Sequence, residues 1–191
     1  MFFSFLPKRI LLGLFLTAVG GVLPLLMAQT AKAQNLQRTA NIQIQASVIK
    51  ACKITGTQNI NFGTYDPLGD HETTPLSATG QVSVRCLPGT QASIKLSQGD
   101  NPAPGSSCTS PARQMANGSA RLPYGLYQDS AATAVWGCDA SSEVQYTASN
   151  AAIKSFSIYG QIPAGSSLPA DILDQLEAGT YSDTVEVTVS F

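Results

Sequence analysis

The chain has 191 residues, of which 43% are hydrophobic and 12% are charged, and its formal net charge is −1. This length suits one globular domain with a core of its own. The basic residues form no stripe along the sequence, so nucleic acid is not expected as a partner.

The first 33 residues are predicted to be a secretion signal peptide. Lys8 and Arg9 precede an apolar run over residues 10–27, and Ala31-Lys32-Ala33 supplies the small residues that a signal peptidase requires. A membrane anchor is the alternative, because the run approaches the length of a membrane span. Gly20, Gly21 and Pro24 inside the run weaken that alternative. Cleavage after Ala33 leaves 158 residues with 8 basic and 12 acidic side chains, a net charge of −4, and confines membrane contact to the removed segment.

Residues 34–46 form a polar extension whose apolar residues fall on one side of an extended chain. These are Leu36, Ala40, Ile42, Ile44 and Ala46, interrupted only by Arg38. Such a segment can act as a strand for its own sheet or for a neighbour's sheet. Burial of Ile42, Ile44, Ala46 and Val48 in an open groove is worth roughly 5–9 kcal/mol at most. Strand pairing also removes an exposed sheet edge.

Short apolar alternations, separated by turn residues, predict strands along the rest of the chain. They are centred on Ile42–Val48, Ile60–Phe62, Gln81–Cys86, Ala92–Leu96, Leu122–Tyr127, Val144–Thr147 and Ile153–Ile162. Residues 66–79 and 97–120 are rich in turn residues and predict loops. With no long stretch of helical period, this pattern favours an all-β antiparallel sandwich. Residues 171–177 are a short helix candidate, with Asp171 as its cap and Gly179 as its stop, and a loop is the alternative.

The four cysteines are Cys52, Cys86, Cys108 and Cys138. An even number in an exported chain indicates disulfides. Three pairings are open, and strand placement favours Cys52–Cys86 and Cys108–Cys138. Zinc is disfavoured, because no two cysteines have C-x-x-C spacing and His71 is the single histidine of the chain.

The C-terminal segment, Thr180–Phe191, has the clearest strand pattern in the sequence. Its apolar face is interrupted only by Asp183, and consists of Tyr181, Val185, Val187, Val189 and Phe191. Period two with β-branched and aromatic residues is typical of a half-buried strand. A sheet that ends on this strand is expected to lack a covering neighbour, and the Phe191 carboxylate is expected at the sheet terminus.

Enzyme motifs fit the sequence poorly. His71 lies in a polar turn, no serine lies in G-x-S-x-G, and no phosphate-binding glycine pattern or H-E-x-x-H is present. We therefore expect a protein without catalytic residues, metal or cofactor. The sequon at Asn117 predicts either a glycosylation site or a simple turn. Trp136, beside Cys138, is either an exposed binding aromatic or a core residue packed on the disulfide.

Motifs spread over nearly the whole mature chain resemble the spore coat protein U domain family. Ala51-Cys52-Lys53-Ile54 is similar to its first cysteine strand, and Asn61–Pro67 to its F-G-x-Y-x-P segment. Residues 79–86 resemble the T-G-x-[VI]-x-V-x-C strand. Further similar blocks are residues 113–115, 122–129, 135–137, 159–165 and 178–185. Their order and spacing make chance similarity improbable.

This resemblance implies an incomplete immunoglobulin-like β-sandwich that is secreted through the periplasm to the cell surface or a pilus. The family includes secreted coat proteins and subunits of archaic chaperone–usher pili. It implies a periplasmic chaperone, an outer-membrane usher and neighbouring subunits as partners, with Asn41–Val48 as donor strand and Thr180–Phe191 beside the groove. The Phe191 carboxylate is then an expected anchor for basic chaperone residues. The implied layout is a signal peptide at 1–33, an extension at 34–46 and the sandwich at 47–191.

Three functions therefore stay open from the sequence. The first is a fibre subunit assembled by strand exchange, and the second is a secreted coat protein that packs without a fibre. The third is a carbohydrate- or surface-binding module that uses Trp136, Tyr124 and Tyr127, although alternation places Tyr124 and Tyr127 on opposite faces. The single-domain length favours a shaft or adaptor subunit over a two-domain tip adhesin. Neither the Cys108/Cys138 pair nor the segment Ser166–Glu177 has an assigned role.

Overall fold

The computed structural model describes residues 36–191, and the predicted signal peptide lies outside the described residues. The chain divides into two compact units, one up to Gln45 and one at Ala46–Phe191. Residues 36–51 form no strand, so the strand predicted at Ile42–Val48 is absent from this structure. A strand is stable only when its backbone groups have a ladder partner, and alternation alone does not supply one.

Eight strands and one short helix form in the described residues. They are β1 (Cys52–Gln58), β2 (Leu76–Cys86), β3 (Gln91–Leu96), β4 (Arg113–Asn117), β5 (Ala120–Tyr127), β6 (Val144–Thr147), β7 (Ile153–Ile162), α1 (Ala170–Leu173) and β8 (Val187–Ser190). A 3-10 turn at Gly165–Ser167 precedes α1.

The strands form two antiparallel sheets. The larger has the order β1-β2-β7-β5-β4 and the smaller β6-β3-β8. Side chains from both sheets meet in one core, which includes Val82, Val84, Ile94, Leu122, Leu126, Trp136 and Ile162. The predicted all-β antiparallel sandwich is therefore confirmed, whereas its completion by a donated strand remains a prediction.

Period-two patterning determines which face of each strand enters the core. In β2, Val82 and Val84 are fully buried, while the intervening Ser83 is partly exposed. In β5, Leu122, Tyr124 and Leu126 are buried, as the alternation predicted. β2 pairs with β7 along ten residues, from Leu76↔Ile162 to Arg85↔Ile153, and this pairing forms the centre of the larger sheet.

Two disulfides link distant parts of the chain, with the pairing that strand placement favoured. Cys52–Cys86 joins the start of β1 to the end of β2, and Cys108–Cys138 links the long loop before β4 to the segment after Trp136. The pairs are 34 and 30 residues apart in sequence. Loop closure of this size stabilises the folded state by about 3–4 kcal/mol per bridge in the chain-entropy model.

Several predicted boundaries were wrong. Ile60–Phe62 is not a strand, because the chain stops pairing with β2 after Gln58. The Ile60 and Phe62 side chains lie over Gly80 and Gly160 of the sheet instead. β4 forms inside the predicted loop 97–120, since the two-residue turn Gly118-Ser119 closes a hairpin with β5, and Gly118 has a φ of 57°. The predicted helix is reduced to α1, and Pro169, not Asp171, is its N-cap. Leu173 and Leu176 pack on the core, which draws the chain into turns after α1.

Candidate functional site

An apolar groove opens between two parts of the chain. One part is the end of β1 and the segment that follows it, and the other part is the segment that leads into β8. The volume of the groove is about 480 Å³. One wall comprises Thr57–Ile60 and Phe62, and the other comprises Tyr181–Val185 and Val187. The floor is formed by Gln81, Leu96, Met115, Tyr124, Leu126 and Ile158. β1 and β8 are each at an edge of their sheets, so the groove follows an unfilled position between two edge strands.

Two glycines determine the position of the first wall. A Cβ atom on Gly80 would lie 2.6 Å from Ile60 Cγ1 and 2.7 Å from the Gln58 carbonyl oxygen. A Cβ atom on Gly160 would lie 2.8 Å from Phe62 Cζ. Real Cβ atoms do not approach other atoms this closely. The absence of side chains at Gly80 and Gly160 therefore lets Ile60 and Phe62 lie directly on the sheet.

The second wall is only half covered by the rest of the chain. Tyr181, Asp183, Val185, Val187 and Val189 are half-buried, and the residues between them are exposed. This is the predicted alternation, although regular pairing covers only β8 and a single bridge at Ala116↔Ser182. β8 pairs with β3 alone, which leaves its other edge without a strand among the described residues. Phe191 is 58% exposed.

A polar cluster fixes one end of the second wall. Asp183 Oδ2 accepts a hydrogen bond from the Tyr124 hydroxyl at 2.6 Å. Asp183 Oδ1 accepts from the backbone N–H groups of Asp100 and Asn101, at 3.0 and 3.2 Å, and from Asn101 Nδ2. Burial and the hydrogen bond to Asp183 raise the pKa of Tyr124 well above its usual range, so the hydroxyl stays protonated and donates. The loop after β3 thus holds the wall in place.

Arg113 lies beside this cluster and is 1% exposed. It is the cross-strand neighbour of Tyr124, and its guanidinium donates to the carbonyl oxygens of Leu96, Ser97 and Trp136. Burial lowers its pKa to about 10, opposed by the nearby Tyr124 and Asp183, so it remains a cation at neutral pH. The sequence showed Asp183 as the one interruption of an apolar face, but carried no signal for Arg113.

The predicted donor residues are strongly exposed in this structure. Ile42, Ile44 and Val48 have 87%, 92% and 83% of their surfaces in contact with solvent, and Ala46 is also exposed. No strand forms at these residues. Their role as donors to another copy stays a prediction.

Comparison with known proteins gives the family. Residues 38–188 match the Spore Coat Protein U domain, which is most of the chain. The chain belongs to the Spore Coat Protein U domain family. Protein U of Myxococcus xanthus is 34% identical over 166 residues, covering 83% of this chain and 88% of that protein. The predicted resemblance is thereby confirmed.

Two solved structures are similar to this Spore Coat Protein U domain chain at TM-scores below 0.5. One is the CsuC-CsuE chaperone–tip adhesion subunit pre-assembly complex from archaic chaperone–usher Csu pili of Acinetobacter baumannii. Its TM-score is 0.49 at 25% identity, over 75% of this chain and 40% of that chain. The other is the P pilus rod subunit PapA, with a TM-score of 0.46 at 14% identity, over 73% of this chain and 97% of that chain. These likenesses do not decide between a fibre subunit and a coat protein.

The binding surface that the sequence suggested, with Trp136, Tyr124 and Tyr127 as exposed aromatic residues, does not form in the described residues. Trp136 is 1% exposed and its Nε1 donates to the Ile94 carbonyl oxygen, and Tyr124 is 8% exposed. Both are core residues, so they cannot form an exposed platform with Tyr127. His71 is part of a folded turn, where its Nδ1 accepts from the Asp66 N–H. Among residues 36–191, no three His, Cys or acidic side chains are grouped as metal ligands. The same range contains no helix long and apolar enough to span a membrane.

Proposed function

We propose that this chain is a non-enzymatic structural subunit of a secreted surface fibre, of the archaic chaperone–usher type, and that it assembles by donor-strand exchange. Residues 41–48 of one copy lie as a strand in the groove of the next copy. The observation that supports this most directly is the groove itself, which is apolar, open and bounded by the free edge of β8.

The donor segment and the groove match in period and length. Eight extended residues span about 26 Å, and the facing wall from Tyr181 to Val187 has seven residues. The inward residues Ile42, Ile44, Ala46 and Val48 meet a floor of leucine, isoleucine, methionine and tyrosine side chains and one glutamine, Gln81. Their burial supplies roughly 5–9 kcal/mol at most, and ladder hydrogen bonds to β8 add specificity. Strand addition of this kind is already known for pilin subunits.

An open groove of this kind also implies that other proteins assist the chain during export. Before exchange, the half-buried valines of the second wall and the free edge of β8 would promote aggregation. A periplasmic chaperone that lends a strand to the same groove prevents this, and an outer-membrane usher then assembles the copies at the cell surface. The final location in this proposal is the cell surface or a pilus, reached through the periplasm.

The proposal is tested by two matched double variants of the full-length precursor, expressed with its own secretion system. Ile42→Asp/Ile44→Asp places charges on the face that enters the groove, whereas Gln43→Asp/Gln45→Asp places the same charges on the opposite face. We expect SDS-resistant multimers to disappear in the first variant and to persist in the second. Deletion of residues 34–46 should likewise leave a folded, chaperone-bound subunit that does not polymerise. Multimers of normal yield in the deletion variant would refute the donor assignment.

A coat protein that packs without forming a fibre is the second candidate. The family description, a spore coat domain, and the 34% identity to Protein U favour it. The two candidates differ in the need for a donated strand. A mature chain that refolds alone to a stable monomer, without chaperone or added peptide, would favour the coat protein.

A further inference from the structure

An exposed leucine, Leu68, lies in an acidic turn, residues 66–72, at one end of the larger sheet. Leu68 is 74% exposed, and Asp66, Asp70 and Glu72 around it are exposed carboxylates. Asp66 Oδ1 accepts from the Leu68 N–H at 3.1 Å, and the Asp66 carbonyl oxygen accepts from the N–H groups of Gly69 and His71. These bonds order the backbone of the turn, which places the Leu68 Cα on the surface of the protein.

The same turn is anchored to the segment after β7. The carbonyl oxygens of His71 and Glu72 accept from the N–H groups of Gly165 and Ser166, both at 2.8 Å. The Tyr65 hydroxyl donates to the Pro163 carbonyl oxygen, also at 2.8 Å. Because the backbone of the turn is already ordered, a partner that buries Leu68 does not have to order the loop as well. Because a single exposed leucine is common on protein surfaces, its meaning depends on whether a matching surface exists.

A matching pocket lies at the opposite end of the same sheet. It has a volume of about 320 Å³ and is lined by Ala51, Cys52, Lys53, Arg85, Cys86, Leu87 and Ala151. This is at the small end of the range for binding pockets, which suits a single side chain. Arg85 is held across the pocket by a hydrogen bond from its Nε to the Ala151 carbonyl oxygen at 2.8 Å.

The charge around the pocket is opposite to that of the turn. Lys53 and Arg85 are register partners between β1 and β2, and Lys50 and Lys154 lie nearby in sequence or on β7. The segments that contain these basic residues, 46–58, 82–91 and 148–157, contain no Asp or Glu. Within residues 36–191 the ion pair that forms is Lys95–Glu143, so these cations have no carboxylate partner in their own chain. An apolar pocket with a charged rim has the anatomy of a small interface.

We propose that Leu68 of one copy inserts into this pocket on a second copy, with Asp66, Asp70 and Glu72 facing Lys53 and Arg85 of that copy. β1 and β2 separate the two surfaces, with Cys52 at the pocket end and Gln58 at the end that leads to the turn. The contact is therefore head to tail, and it repeats from copy to copy. The patch is too small for a stable complex by itself. When copies are also joined by donor strands, the second contact becomes intramolecular and sets the angle between successive subunits.

The test uses the full chain with a photo-reactive phenylalanine analogue at position 68. Light should link it to a peptide of a second copy that contains Cys52–Lys53 or Arg85–Leu87. Arg85→Glu or Asp70→Arg should each lower the yield about fivefold, and 0.5 M salt should lower it similarly, because the attraction is electrostatic. The double variant Arg85→Glu/Asp70→Arg should restore the yield, since the pair is re-formed with its signs exchanged. Arg121→Glu, the same charge change on β5, should have no effect.

The results separate this contact from donor-strand exchange. Multimers that resist SDS but give no link from position 68, or a link to another surface, would overturn the proposal and leave the fibre function standing. A double variant that fails to recover would also overturn it. The link should be lost in Ile42→Asp/Ile44→Asp, because the patch is too small to join two copies without the donor strand. A link of full yield in that variant would contradict this coupling between the two contacts. The salt comparison uses the same photo-reactive chain at both salt concentrations, so a folding defect of a charge variant cannot explain its result.

Discussion

Replacement of Arg113 by methionine should destabilise the fold more than any substitution at an exposed arginine. The Arg113 guanidinium donates to Leu96 O at 3.1 Å, to Ser97 O at 2.6 and 2.8 Å, and to Trp136 O at 2.9 Å. It thereby joins β4 of the larger sheet to the end of β3 in the smaller sheet. Methionine has a similar reach and no donor, so these carbonyl oxygens would lose their partner.

The expected loss follows from these contacts. A hydrogen bond to a charged group contributes about 1.5–3 kcal/mol, but bonds from one guanidinium are not additive. Each buried carbonyl oxygen that is left without a donor costs about 1–3 kcal/mol, so loss of the guanidinium from three carbonyl oxygens should cost about 3–5 kcal/mol. Since domains are stable by about 5–15 kcal/mol, Arg113→Met should remove about a fifth or more of the total. Arg121→Met is the control, because Arg121 is half-buried and bonds only carbonyl oxygens of its own hairpin, and should cost below about 1 kcal/mol.

Urea unfolding measures both variants under the same conditions. Trp136 is the single tryptophan of the chain, is buried, and accepts one of the Arg113 hydrogen bonds on its own carbonyl oxygen. Its fluorescence therefore reports the packing around Arg113. We expect a clear drop in the unfolding midpoint for Arg113→Met and a small change for Arg121→Met. A loss below about 1 kcal/mol for Arg113→Met, or equal losses in the two variants, would show that the guanidinium does not hold the sheets together.

Two further predictions concern the groove wall and the second disulfide loop. Gly160→Val should displace Phe62 from the sheet and cost about 1–3 kcal/mol, and Gly56→Val, where a Cβ meets nothing within 4 Å, is the matched control in urea unfolding. Hydrogen bonds from Thr109, Ser142 and Ser141 hold the pKa of Asp139 well below its usual range. The ionised Asp139 carboxylate stabilises the folded state fully above the unfolded-state pKa of about 3.8. This stabilisation is lost as the pH falls from there through the lower folded-state pKa. The melting temperature of Asp139→Asn should therefore lie below that of the natural chain at pH 6, and a gap that persists unchanged at pH 2 would contradict this.

The sequence predicted the strands whose apolar alternation identifies them without knowledge of the tertiary fold. β2 and β5 followed from strict alternation, because Val82, Val84, Leu122 and Leu126 have one possible core face. β6 and β7 were placed with their observed bounds. β4 was missed, since Arg113 and Asn117 do not resemble strand residues and the strand exists through its hairpin with β5.

The groove was predicted in part. Alternation at Tyr181–Val189 identified one wall, and Asp183 was visible as its interruption. The other wall depends on close packing of Ile60 and Phe62 over two glycines, which single-sequence patterns do not encode. Arg113 was unpredictable for a similar reason, because its three carbonyl partners come from segments that only the tertiary fold brings together. The donor segment had a strand pattern but no partner in its own chain, so pattern and structure diverged there.

The central claim, donation of residues 41–48 to another copy, is tested most directly by photo-cross-linking from position 44. A photo-reactive side chain replaces Ile44 in the full chain, and the multimers are irradiated, boiled and analysed by mass spectrometry. We predict a cross-linked product larger than one chain, with the link at Val185–Val187 or Ile60–Phe62 of the second copy. Multimers that form while position 44 links only within its own chain, or to a surface outside the groove, would contradict the account.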